Sequence, residues 1–200
     1  MEYKKKIDTK EYRTLFFEAY KYVNSVIDDY SFYFRLIGSA KRNLVLDKPN
    51  KGFDFDYQII FYQSLVGEGS DKLIEIKDRF RHAFDDFFVE KGYEYGEDST
   101  SAITIKMLDG DKIYHSYDVT LMTPNSVDKL CIFKYNDNEK TEMGLNEMRK
   151  SAMFKEKYKK IKGAQKWKEL RDEYKIRQEE WNGERKSFSI LMSVVNDMKL

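Results

Sequence analysis

The chain has 200 residues, enough for one domain with a small helical appendage and a sizeable core. Lys and Arg number 36 against 35 Asp and Glu, a formal net charge of +1, which excludes a chain-wide basic field for nucleic acid and leaves only a local patch. One cysteine, Cys131, excludes an internal disulfide and a cysteine-built zinc site, and two histidines, His82 and His115, are too few for a His-rich metal cluster.

Taken in chain order, the N-terminal "MEYKKKIDTK" is basic but has no apolar stretch behind it, so it does not read as a signal peptide. Residues 10–29 carry Leu15, Phe16, Ala19, Tyr20, Val23 and Ile27 at helical spacing. "FYFRLI", 32–37, is a short strand ending at Gly38, and 53–61 is another; "DKPNKG" between them is punctuated as a loop by Pro49, Asn50 and Gly52. Ser70 is placed to cap a helix running to about Glu90, with Leu73, Ile76, Phe80, Ala83, Phe84 and Phe87 on one face. "TSAITIKML" and "KIYHSYDVTLM" are strands joined by "DGDK", an Asp-Gly hairpin signal, and "LCIFKY", 130–135, is one more, in which Cys131 reads as a small buried hydrophobe rather than a nucleophile.

After Gly144 the sequence turns to charged helices, with apolar stripes Phe154, Tyr158, Ile161; Trp167, Leu170, Tyr174, Trp181; and Phe188, Leu191, Met192, Val195. "YNDNEKTEMG", 135–144, reads as a linker between a core of 1–134 and a C-terminal helical part, 145–200, packed on it, with Trp167 and Trp181 docking those helices against the sheet. The fold class expected is α+β, a small mixed sheet flanked by helices with a helical C-terminal segment. No run approaches the ~18 apolar residues of a membrane span, so the expected setting is a reducing cytoplasm.

The strand "FDFDYQIIF" carries the chemistry. Alternation puts Asp54, Asp56 and Gln58 on one face and Phe53, Phe55, Tyr57 and Ile59 on the other. Two partly desolvated carboxylates side by side repel each other, and a divalent cation is their natural partner; oxygen-only ligands favour Mg²⁺ or Mn²⁺ over zinc. A solvent-facing edge strand carries the same alternation, so the pair does not decide alone. Three further features weigh with it. Gly38-Ser39 follows a strand, where backbone N–H groups and a hydroxyl can hold phosphate. Lys41 and Arg42 come next, readable as phosphate partners or as a solvated surface. Asp118 lies inside a later strand, so three acids converge if the two strands are neighbours, a cluster suited to two metals about 4 Å apart.

"GS" after a strand, then "DFD", then a single Asp in a later strand, resembles the DNA polymerase β-like nucleotidyltransferase superfamily. "STSAITIKMLDGDKIYHSYDVTLM" is similar to the branch containing the oligoadenylate synthetases and their bacterial relatives, and "KRNLV", "KGFDFDYQ" and "AITIK…HSYDV" are similar to a short bacterial group. The resemblance spans about residues 34–122, with a weaker match through "SFSILMSVVNDM". It implies a polymerase β-like sheet and transfer of a nucleoside monophosphate from an NTP, ATP foremost, to a hydroxyl with release of pyrophosphate. Asp54 and Asp56 would ligate two Mg²⁺ or Mn²⁺ ions. Asp118 would ligate the catalytic one and orient or help deprotonate the acceptor, and Gly38, Ser39, Lys41 and Arg42 would bind the nucleotide. The acceptor is open: a protein hydroxyl, an RNA end or a small alcohol. The interval from Gly38 to Asp54 is longer than in many members, and 200 residues leave little room for the large helical domain of polymerases, dinucleotide cyclases and RNA sensors.

Other residues carry two readings each. Thr104 reaches ribose or simply suits a strand; His115 supports Asp118 or sits on a strand surface; Asp109 and Asp111 read as turn residues beside Gly110. The basic "KEKYKKIKGAQKWK" contacts RNA or is a solvated helix face, and Arg185 and Lys186 are candidates for the cleft. The rival functions are a non-catalytic module with a partner protein, as in a toxin–antitoxin pair, and an RNA-binding protein.

Overall fold

A computed structural model describes residues 1–127, 129–148, 152–181 and 187–199. In chain order the elements are β1 (Glu2–Tyr3), α1 (Lys10–Val26), β2 (Phe32–Leu36), α2 (Gly38–Lys41), β3 (Leu46–Asp47), β4 (Phe53–Phe61), α3 (Ser70–Phe88), a 3₁₀ turn (Val89–Lys91), β5 (Glu97–Asp98), β6 (Ile103–Asp109), β7 (Lys112–Pro124), β8 (Leu130–Tyr135), β9 (Met143–Glu147), α4 (Ala152–Gly163), α5 (Trp167–Trp181) and α6 (Ser187–Asp197). They divide into two compact units, one from Lys4 to Met148 and one of Met1–Tyr3 with the residues from 149 onward.

The larger unit is built on a seven-stranded sheet ordered β2-β4-β7-β6-β5, with β8 on β7 and β9 on β8. Only β4 and β7 run parallel; the other pairs are antiparallel. The α+β class with a mixed sheet is as the sequence indicates. One face of β4 is the core face: Phe53, Phe55, Tyr57, Ile59 and Phe61 are buried. α1 lays Tyr12, Phe16, Ala19 and Val23 over it, and α3 adds Leu73, Ile76, Phe80, Phe84 and Phe88. The Phe16 ring stacks on Tyr57 at 3.5 Å, and Phe80 meets Phe61 edge-on at 5.5 Å. This packing fixes which side of β4 is apolar, and so which side carries its acids.

The segment 135–144 is not a linker. Tyr135 pairs with Met143, and the Asn136 amide bonds the Glu142 carbonyl at 2.8 Å, so the polar run is the loop of the β8–β9 hairpin. A charged hairpin loop and a charged linker have the same composition, and only strand pairing separates them. β9, with Gly144 and Asn146, has too little strand preference to show in sequence. Ser70 does not cap α3; its Oγ accepts the Met143 amide at 2.8 Å, tying that helix to β9.

In the smaller unit Phe154 packs on Tyr158 and Phe188, and Tyr158 on Trp167. Leu170, Tyr174, Ile190, Leu191, Val194 and Val195 are buried. Several cations of the basic segment are engaged locally: Lys160 with Glu156 at 2.7 Å, Lys157 with the Asn196 carbonyl at 2.6 Å, and Lys162 over the Tyr158 and Trp167 rings. Arg185 and Lys186 lie outside the described residues.

Candidate active site

The parallel pairing of β4 with β7 sets Asp56 directly beside Asp118 and Asp54 beside Ser116. Paired residues on adjacent strands share a face, so the three acids lie on the side of the sheet opposite the α1 and α3 core. Burial, reinforced by the Asp54 and Asp118 charges, pushes the Asp56 carboxyl up to about 7, with Lys48 and Arg42 pulling the other way. Asp118 is also raised, by burial first; the Thr104 hydrogen bond opposes this and Asp54 adds to it. That hydrogen bond runs from Thr104 Oγ1 to Asp118 Oδ1 at 2.6 Å, across a register that pairs the two residues.

Gly38 closes the near side. It follows β2 with φ +63°, in the left-handed region that glycine adopts without penalty. The Ile37 amide bonds the Asp56 carbonyl at 2.9 Å. A Cβ on Gly38 would lie 1.7 Å from Asp56 Oδ2, so the backbone turn is in direct contact with the carboxylate. Ser39, the second residue of the one-turn α2, is half-buried, and Lys41 is exposed at its end. Arg42 Nη1 donates to the Gly38 carbonyl at 2.7 Å and Arg13 Nη2 to that of Ala40 at 3.4 Å. Arg42 therefore braces the turn.

Lys48 was not singled out by sequence. A bridge between Lys48 and Gly52 folds the loop back before β4 and brings Lys48 Nζ to 3.7 Å from Asp54 Oδ1. The contact is an ion pair rather than a hydrogen bond. No sequence signal marks this lysine, because only the hairpin brings it to the acids.

Among the described residues no three His, Cys, Asp or Glu side chains are grouped closely enough to form a complete metal cage. The donor chemistry nevertheless fits a divalent cation. Three carboxylates share one face, and two of them carry partly buried charge that their neighbours make unfavourable.

His115 is neither a surface residue nor a support for Asp118. Its odd position puts it on the core face, fully buried among Tyr12, Phe53 and Tyr117. Nδ1–H donates to the Phe53 carbonyl at 3.0 Å, and Nε2 is buried without a partner. Burial lowers its pKa to about 4, so the folded state holds it neutral. The unfolded chain takes up this proton near pH 6.5, so stability is full above that pH and falls as pH drops toward 4. The expected loss is at most about 3 kcal/mol. Urea midpoints between pH 7 and 4 check it: His115→Leu should flatten the slope relative to the wild type, and an unchanged slope refutes the assignment.

No protein-family model matches the sequence, and no curated protein matches it. Solved structures do. The apo form of the Vibrio cholerae dinucleotide cyclase DncV is similar over 99% of this chain and 54% of its own, with TM-score 0.59 and 12% identity. The Escherichia coli DncV with 3'-deoxy GTP matches over 99% and 55%, with TM-score 0.58 and 16% identity. Vibrio cholerae DncV, a cyclic AMP-GMP synthase, in complex with the linear intermediate pppA(3',5')pG, matches over 85% and 48%, with TM-score 0.57 and 11% identity. The chain shares the fold of these structures. The chain spans about half the length of these neighbours. No helix among the described residues is long and apolar enough to cross a membrane.

Proposed function

We propose that this chain transfers a nucleoside monophosphate from an NTP to a hydroxyl acceptor and releases pyrophosphate. The observation that carries this reading is the parallel register of Asp56 with Asp118, with Asp54 on the same face and the Gly38 turn closed against Asp56. Neighbours of the same fold were solved with 3'-deoxy GTP and with a linear nucleotide intermediate, which favours an NTP as the donor.

In this reading Asp54, Asp56 and Asp118 hold two Mg²⁺ or Mn²⁺ ions. When bound, such ions neutralise the triphosphate and lower the pKa of a coordinated hydroxyl. The Gly38 and Ser39 backbone and the Ser39 hydroxyl hold the β- and γ-phosphates, with Lys41 reaching the triphosphate from the end of α2 and Arg42 fixing the turn that presents it. Asp118 orients the acceptor and accepts its proton, a role helped by a carboxyl that burial already raises. The acceptor oxygen bonds to the α-phosphorus, the bond to the bridging oxygen breaks, and pyrophosphate leaves with the electron pair. Fixed geometry of donor and acceptor supplies much of the rate.

The test is incubation with each α-labelled NTP and Mn²⁺, with and without cell extract. Label should enter a product in the wild type and not in Asp118→Ala, with pyrophosphate formed in step. Label transfer that survives Asp54→Ala, Asp56→Ala and Asp118→Ala in folded protein overturns the reading.

A further inference from the structure

We infer that Thr104 is a positioning residue for Asp118, fixing the plane of its carboxylate so that this acid can serve a divalent ion and the acceptor. The inference rests on the proposed reaction and adds a residue to it. Three observations support it. β6 and β7 pair Thr104 with Asp118, so both side chains leave the same face of the sheet side by side. The hydroxyl donates to Oδ1 at 2.6 Å, a short bond of the charge-assisted kind. Among the described residues Asp118 accepts no other hydrogen bond and has no ion pair within 4 Å, whereas Asp54 has Lys48 beside it and Asp56 lies against the Gly38 turn. The Thr104 contact is therefore the one hydrogen bond that selects a rotamer for the third acid. A carboxylate on a strand has a broad terminal torsion, and one such bond removes most of that freedom. A hydroxyl one strand removed fixes the orientation without placing a second charge in the cluster.

Strand preference alone also explains a threonine here, and valine has at least the same preference with a similar shape. Thr104→Val therefore removes the hydroxyl and leaves the strand. The experiment is calorimetric titration of the apo chain with Mn²⁺, together with kcat and KM for the NTP, on wild type, Thr104→Val, Thr104→Ser and Asp118→Asn. Thr104→Val should weaken Mn²⁺ binding and lower kcat, each by roughly 10- to 100-fold, the range seen when partners of metal-binding groups are removed. KM for the NTP should stay within about 2-fold and the melting temperature within a few degrees, because the phosphate site and the strand are untouched. Thr104→Ser should restore both parameters to within about 3-fold of the wild type. Wild-type Mn²⁺ affinity and kcat in Thr104→Val overturn the inference, as does equal damage in Thr104→Val and Thr104→Ser. If Asp118→Asn is dead while Thr104→Val is unimpaired, only the Thr104 inference falls. If Asp118→Asn itself keeps wild-type binding and turnover, or the wild type binds no Mn²⁺, the reading of the site falls with it.

Discussion

Asp56→Asn is expected to abolish nucleotidyl transfer, by about 10³-fold or more, while making the protein more stable. The two effects have one cause. Asp56 is held beside Asp118 on the adjacent strand, with Asp54 on the same face, and burial together with these charges raises its carboxyl to about 7. A carboxyl raised in the folded state favours the fold when protonated, so at pH 8 the ionised group opposes folding. That penalty fades as pH falls through 7 and is gone below the unfolded value near 4. Asparagine keeps the shape and removes the charge, so the stability gain should be about 1–2 kcal/mol at pH 8 and near zero at pH 4. A divalent ion should raise the melting temperature of the wild type and have little effect on the variant. Urea titrations at both pH values, with and without Mn²⁺, check this. A variant less stable than the wild type at pH 8 would mean that Asp56 is favourably paired and that the acids are a structural cluster.

The second large effect is expected at Gly38. Gly38→Ala places a Cβ 1.7 Å from Asp56 Oδ2 in a residue held at φ +63°, so the turn or the carboxylate must move. The left-handed strain alone costs about 1–2 kcal/mol. Displacement of Asp56 adds loss of transfer, at least roughly 10²-fold if 1 Å of misplacement has its usual effect. Gly110 is the control. It sits in the β6–β7 hairpin at φ +60°, with nothing within 4 Å of a Cβ. Gly110→Ala should show a similar backbone penalty and wild-type activity. Two equally active alanine variants would refute the contact between the turn and the acid.

Much of this site was legible in advance because strands have a period of two. "FDFDYQIIF" states which residues share a face before any partner is known, and Asp-Gly places the hairpin that feeds β7. The apolar stripes of α1 and α3 likewise mark the helices that cover the other face. Three features escaped for reasons that are not local. The polar run 135–144 looks the same as a linker until Tyr135 is seen paired with Met143. His115 looks polar, and only the parity of β7 together with the helices on that face buries it. Lys48 reaches Asp54 because a loop folds back, which no periodicity reports.

The sequence by itself determined the faces: alternation and helical spacing decide which side chains lie toward the core, and they put Asp54 and Asp56 together because those residues are two apart on one strand. Tertiary structure alone decided that Asp118 joins them and that Thr104 holds it. Strand order and register are set by the packing of helices and sheet across sixty or more residues of chain, and that long-range choice leaves no mark in the spacing of neighbours.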